Sequence, residues 1–192
     1  SVGNWLISKY IKENSDAKVI FNGDGSDELT GGYLYFYLAE NALDFDLECR
    51  RLLSDIHYFD VLRSDRSISS HGLEARTPFL DRGFVQTYLS ISKHFRFHVE
   101  NDECEKHLLR NSFSNKDLLP DEVLWRTKEA FSDGVSKKTK SWHNIVQEHI
   151  KSHIFKNQNI NFLEDERFKH HNQPKTLEQY YYRTIFETYF ND

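Results

Sequence analysis

The stretch that decides the fold is AKVIFNGDGSDELTGG, residues 17–32. Its first six residues, Ala17 to Asn22, are short, β-branched and aromatic, and they lie between Asp16 and Gly23, the composition of a buried strand. Residues 22–32, NGDGSDELTGG, then leave the carboxyl end of that strand and enter a helical pattern from Ser26. In open parallel sheets ligands sit at this place, because glycines allow close backbone approach and helix N–H groups face anions. Asp24, Asp27 and Glu28 put three carboxylates within five residues, and bare carboxylates repel phosphate unless a divalent cation neutralises both. Magnesium with a phosphate chain reconciles the acids with the location. Other loops fail on the letters: no GK[ST] follows for a Walker A loop, and Glu28 stands where GxGxxG needs glycine. An EF-hand would require Gly at Asp27 and Glu at Tyr33. A plainer reading keeps the acids as caps of the helix that starts near Ser26.

Before the strand, Val2, Trp5, Leu6, Ile7, Tyr10 and Ile11 recur at three- and four-residue spacing, so an amphipathic helix runs up to the polar patch KENSD of residues 12–16. After the loop, Leu29, Tyr33, Phe36 and Tyr37 share one side of a helix that fades at Glu40-Asn41. Asp44 or Asp46 is expected to cap the next, whose apolar positions Phe45, Leu52, Leu53, Ile56, Phe59, Val61 and Leu62 lead to a stop at His71-Gly72. Pro78 in EARTPFLD, residues 74–81, pushes Thr77 into an extended conformation. Asp81 then caps a helix carrying Phe84, Val85, Tyr88, Leu89 and Ile91. Further helices are expected over 103–113, 135–153 and 177–190, the last opened by a capping box of Thr176 and Gln179; residues 157–175 read as irregular and polar.

The expected fold is therefore mainly α with one buried strand. A lone buried strand cannot satisfy its own backbone hydrogen bonds, so its neighbours are expected from another chain or from strands that precede Ser1. The absence of methionine means that the chain either lost its initiator or was cut from a longer one, and the helical pattern already under way at Ser1 favours the cut.

Of the 192 residues, 38% are hydrophobic and 15% aromatic, too many rings for a solvated tail. A net charge of -5 lacks the basic excess of a nucleic-acid binder. No apolar run approaches the roughly 20 residues that cross a bilayer. Cys49 and Cys104 fall in no metal-ligand spacing, and the ten histidines form no HExxH pair, which fits a reducing, cytoplasmic setting without structural zinc. Two further charged clusters stand out. In LWRTKEAFSDG, residues 124–134, Arg126 and Lys128 precede a turn-like SDG, where a lysine beside an aromatic ring is ordinarily a snorkelling surface side chain. Arg63, Asp65, Arg66, Glu74, Arg76 and Asp81 read as a structural buried ion-pair network.

Taken in order, VIFNGDGSDELTGGYLYF, DVLRSDR, HGLEARTPFLD, EKHLLR, LWRTKEAFSDG and PKTLEQYYYRTIFE resemble, with similar spacing, the second half of the synthetase domain of the glutamine-hydrolysing asparagine synthetase family, eukaryotic type. The resemblance covers nearly the whole chain. It implies the C-terminal part of an α/β ATP-pyrophosphatase domain of the adenine-nucleotide α-hydrolase kind, which activates aspartate as β-aspartyl-AMP and then accepts ammonia. Residues 1–40 would hold the strand and acidic loop, 41–156 a helical region, and 157–192 a polar loop and terminal helix. By motif, Asn22 and Gly23 fall where AMP is contacted and Asp27 where a carboxylate holds magnesium-pyrophosphate, with Glu28 beside it on the cofactor-binding loop. Lys128 falls on the lysine that neutralises charge at the reacting α-phosphate, and Asp24 on a position where the family usually has Glu, a base toward ammonia. The usual loop reads SGEGSDE, so Asn22 replaces Ser and Asp24 shortens the carboxylate reach by one methylene. The implied cofactors are ATP and Mg2+, and the implied substrates aspartate, ATP and ammonia. The family's SGGxDS pyrophosphate loop and N-terminal glutaminase are not in these residues, so the isolated chain is expected to be inactive. A noncatalytic helical binding module is the alternative of a different class; β-lactam synthetases share the domain, but EKHLLR and KEAFSDG disfavour them.

Overall fold

The computed structural model of the chain describes residues 2–129, 134 and 140–190. They fall into two compact units, Ser1–Lys128 and Glu129–Asp192.

The first unit begins with α1 (Val2–Asn14), which packs on α4 (Asp60–Ser69); the Trp5 and His71 rings meet at 4.6 Å. Strand β1 (Val19–Phe21) follows, shorter than the six residues expected, and pairs in parallel with β2 (Glu74–Arg76). The register sets Val19 opposite Glu74, Ile20 opposite Ala75 and Phe21 opposite Arg76. Bonds from Glu74 N to Lys18 O (2.8 Å) and from Asn22 N to Arg76 O (2.9 Å) extend the ladder at both ends. Two expectations are corrected here. The strand has a partner within the chain, and it is not buried: Phe21 is 79% exposed, and among the described residues only one edge of β1 is paired. β2 escaped notice because Glu74 and Arg76 flank a single inward residue, Ala75, leaving too short an alternation to register as a strand.

From Ser26 the chain does not form one continuous helix. α2 (Ser26–Thr30) lasts five residues and stops at Gly31, whose φ of 65° is the left-handed C-terminal cap that glycine adopts without strain. A 3-10 stretch, Leu34–Leu38, carries the aromatics that periodicity assigned to the same helix. Next comes α3 (Ala42–Asp55), capped not by Asp44 or Asp46 but by Asn41, whose Oδ1 accepts from Leu43 N and Asp44 N at 2.9 and 3.0 Å. Asp46 instead lies buried against Arg96 and Arg50. A 3-10 turn at Ile56–Tyr58 separates α3 from α4, breaking the run expected to reach His71.

The core lies beneath the glycine-rich loop and consists of Phe36, Ala42, Phe45, Cys49, Leu52 and Phe97. Phe36 and Phe45 meet edge to face at 5.1 Å, and any side chain at Gly31 would strike the Phe45 ring. Truncating Phe45 to Ala should cost about 3–5 kcal/mol. α5 (Arg82–Ser90) is capped by Asp81 as expected, with Phe84 N donating to Asp81 Oδ1 at 2.9 Å. Short helices α6 (Lys93–Arg96), α7 (His107–Asn111) and α8 (Asp121–Leu124) complete the unit. α7 is far shorter than the 103–113 span, since Lys106 before it is left-handed at φ 62°. The charged cluster of residues 63–81 does not form one buried network: Arg63 pairs with Asp60, Arg76 with Glu74 at the surface, and Asp65, Arg66 and Asp81 are exposed.

In the second unit, α9 (Trp142–His149) continues as a π-turn, Ile150–Ile154, and packs on α10 (Leu177–Tyr189). Of the helix expected over 135–153, residues 135–139 lie outside those described, and the described helix opens at Trp142 under a Ser141 cap. At α10 the Thr176 cap is present and the reciprocal bond of the box is displaced by one residue: Thr176 Oγ1 accepts from Gln179 N at 3.2 Å, but Gln179 Oε1 accepts from Lys175 N at 2.7 Å rather than from Thr176 N. The segment 157–175 is more ordered than its polarity implied, with 3-10 turns at Phe162–Glu164 and Glu166–Phe168. Phe168, 1% exposed, packs against Tyr180, and Tyr180 Oη donates to Asp165 Oδ2 at 3.0 Å. No described helix is long and apolar enough to cross a membrane.

Candidate functional site

The loop between β1 and α2 is folded by its own polar atoms. Asn22 Oδ1 accepts from Asp24 N at 3.1 Å, and Ser26 N donates to Gly23 O at 3.2 Å. Gly25, at φ 86°, sits so close to Leu80 that a side chain there would collide with it. Gly23 is exposed and faces open space. No side chain caps α2 by a hydrogen bond, its N-terminal cap being Gly25, although Asp27 and Glu28 do stand in its first turn, where acids are favourable.

Asp27 is the centre of the site. Lys128 Nζ donates to its Oδ2 at 2.6 Å, and Lys106 Nζ stands 2.8 Å from its Oδ1 as an ion pair without the alignment of a hydrogen bond. Lys106 also donates to Ser26 Oγ at 3.1 Å. All three charged side chains are largely withdrawn from water, at 16% exposure for Lys106, 26% for Lys128 and 17% for Asp27. Burial alone would raise the Asp27 pKa, but the two ammoniums of Lys106 and Lys128 beside it overcome this and hold the carboxyl below its ordinary value. Gly32 completes the arrangement, because a side chain on it would strike the Asp27 carboxylate and the Lys106 stem.

Glu28 points elsewhere. At 2% exposure it accepts a short hydrogen bond from Tyr33 Oη, which also reaches Asp60 Oδ2 at 3.1 Å, and Asp60 pairs with Arg63. Burial, then the neighbouring Asp60 carboxyl, push the Glu28 pKa up to about 7. Of the loop's three acids, this one is used to tie α2 to α4. Of the other two, Asp27 is engaged by the lysines, whereas Asp24 Oδ2, like the neighbouring Asn22 Nδ2, is buried without a partner, and such burial is costly unless something else satisfies the atom.

The structure thus brings Asp27 and Lys128, 101 positions apart, into direct contact, with Asn22, Gly23 and Asp24 on the same loop. Lys106, in the motif EKHLLR, is a site residue that the sequence does not single out, because no local pattern announces that a lysine preceding a short helix will turn inward. Tyr33 and Asp60 carry no signal either, since they are 27 positions apart and meet only in the folded chain.

The described residues thus form a mostly helical protein with a two-strand parallel sheet, in which an acidic, glycine-rich loop leaves the carboxyl end of one strand and meets two lysines from distant segments. The profile of the asparagine synthase family matches residues 1–48 and 38–192, and the chain belongs to that family. It is 47% identical over 190 residues to the human protein named asparagine synthetase [glutamine-hydrolyzing], covering 99% of this chain and 33% of that one. The chicken protein of the same name is 47% identical over 191 residues, and the rat protein 47% over 190. The chain spans about a third of the length of these relatives.

Proposed function

We propose that this chain forms the carboxyl-side part of an ATP-dependent asparagine synthetase, a ligase of amino-acid biosynthesis that activates aspartate as β-aspartyl-AMP and transfers ammonia to it. The observation that carries the reading is the convergence of Lys106 and Lys128 on Asp27. Two ammoniums drawn out of water beside an ionised carboxylate are arranged to receive a ligand that is itself strongly anionic and metal-bound. A noncatalytic helical scaffold has no use for such a desolvated triad, which costs stability unless its charges are well matched.

The residues fit magnesium carried by phosphate. Mg2+ is commonly held by one or two carboxylates plus substrate phosphates and water. Asp27 is ionised, Asp24 has a buried oxygen without a partner, and among the described residues no three acids, histidines or cysteines converge into an all-protein cage. Asp27 would hold the metal of a magnesium-pyrophosphate unit; the metal would neutralise the phosphate chain. Lys106 and Lys128 would meet the phosphate oxygens, Lys128 at the reacting phosphorus, where a fixed positive charge stabilises the charge that develops. Asn22 and Gly23, at the end of β1, would contact the AMP portion, Gly23 offering bare backbone. Asp24 would act on ammonia as base, its shorter side chain being aligned by the Asn22–Asp24 turn. Glu28 would serve by fixing α2 rather than by touching ligand.

On this reading β1 and β2 belong to a larger parallel sheet of the adenine-nucleotide α-hydrolase kind, and segments outside these residues supply a pyrophosphate loop and a glutaminase. The test is aspartate-dependent pyrophosphate release by the full-length protein with ammonia as nitrogen donor. Lys128→Ala should abolish it, and unaltered release in that variant would remove Lys128 from the site.

A further inference from the structure

Lys106 and Lys128 come from segments that have no helix in common, yet both ammoniums meet one carboxylate. We infer that Arg110 is the positioning residue that holds those two segments together and thereby sets the lysines on Asp27; this rests on the proposed function only for its consequence in catalysis. The guanidinium makes three bonds. Its Nε donates to Glu105 O at 2.8 Å, its Nη2 pairs with Glu105 Oε1, and its Nη1 donates to Leu124 O. Glu105 immediately precedes Lys106, and Leu124 ends α8, four residues before Lys128. One rigid fork therefore fixes the backbone on both sides at the root of each lysine, a task that suits the planar, five-donor geometry of arginine.

Two further observations point the same way. Glu105 is 3% exposed, so its carboxylate depends on Arg110 for neutralisation. Lys106 is held in the left-handed region at φ 62°, a conformation that a non-glycine residue keeps only where its surroundings impose it. Arg110 N donates to Lys106 O at 3.0 Å, so the residue that anchors the fork also anchors that backbone, and His107 leans on Trp125 with ring centroids 5.7 Å apart. Without the fork, nothing polar would tie residue 105 to residue 124, and the side chains on either side would diverge from Asp27.

The experiment is site-resolved acetylation of the full-length protein with acetic anhydride, read by peptide mass spectrometry, alongside pyrophosphate-release kinetics. In Arg110→Ala, Lys106 and Lys128 should react roughly tenfold faster than in the parent protein while exposed Lys18 is unchanged. Arg110→Lys keeps a cation beside Glu105 but cannot span to Leu124; it should give the same acceleration, and it decides the matter if the alanine variant does not fold. Arg96→Lys, which breaks the buried pair with Asp46, should leave both rates as they were. In kinetics, the loss of kcat in Arg110→Lys should not add to that of Lys106→Ala, since both remove the same placement. Unchanged acetylation in a folded Arg110→Lys variant, or equal acceleration in Arg96→Lys, would overturn the inference. Should the parent protein release no pyrophosphate with aspartate, the proposed function fails, while the acetylation rates still decide Arg110.

Discussion

Lys128 repays attention at the scale of single residues because it has two readings with opposite consequences. A snorkelling lysine contributes little beyond solubility, whereas a lysine at 2.6 Å from a half-buried Asp27 is a fixed charge. Lys128→Ala should lower aspartate-dependent pyrophosphate release by a hundredfold or more, with little change in melting temperature, and Lys128→Arg should rescue poorly because a fork does not replace a point charge. Asp24 is tested by lengthening it. A one-methylene displacement at a reacting centre costs about a hundredfold, so Asp24→Glu should change turnover more than ATP affinity, and Asp24→Asn should remove synthesis. Indifference to both would leave Asp24 a loop residue. His98 offers a prediction about stability alone. Both its ring nitrogens are buried without partners between Phe45 and Tyr37, and burial, helped by His107, lowers its pKa to about 4. The folded state therefore disfavours the proton that the unfolded chain accepts near pH 6.5, so this group costs stability as pH falls from about 6.5 to 4, on the order of 3 kcal/mol in all. His98→Leu should flatten that decline, measured as the melting temperature at pH 7 and pH 4.5; parallel losses in both proteins would contradict it.

Among the elements, the turn from α2 into the core decides whether the loop holds its shape. Gly31→Ala combines a left-handed backbone with a collision against Phe45 and should destabilise by about 1–3 kcal/mol or more, visible as a lower melting temperature. Gly32→Ala differs in kind, since the added methyl strikes Asp27 and Lys106 rather than the core, and it should reduce pyrophosphate release far more than stability. Equal effects on both measurements would show that the Asp27–Lys106 pair matters only to folding. The elements differ in how plainly the residues announce them. α5 with its Asp81 cap and α10 with its Thr176 cap follow from local chemistry and stand where the pattern put them, and β1 lies within its expected span, though shorter and exposed. β2 is not legible, because a three-residue strand with charged ends becomes a strand only when β1 lies beside it. The cap of α3 is Asn41 rather than Asp44 because its side chain reaches the free N–H groups of Leu43 and Asp44, while Asp46 is drawn inward by Arg96.

For the molecule as a whole, the strand-end loop and its acids could be read from residues 17–32, and Lys128 from its motif, but the ring of contacts that makes a site could not. Lys106, Arg110 and Tyr33 act through distances fixed by α3, α4 and the 105–124 tie, which no window of sequence contains. A chain that spans a third of its relatives' length should also be incomplete in function: expressed alone, residues 1–192 should release no pyrophosphate with ATP and aspartate, and measurable release without a partner would show that the phosphate contacts are all present here. The most direct measurement of the central claim is aspartate-dependent exchange of labelled pyrophosphate into ATP by the full-length protein, compared with its Lys106→Ala and Lys128→Ala variants. Exchange that requires aspartate and Mg2+ and is lost in both variants is the expected result. Exchange that persists in both, or a parent protein that shows none with aspartate present, would contradict the placement of an ATP-dependent aspartate-activating site at Asp27.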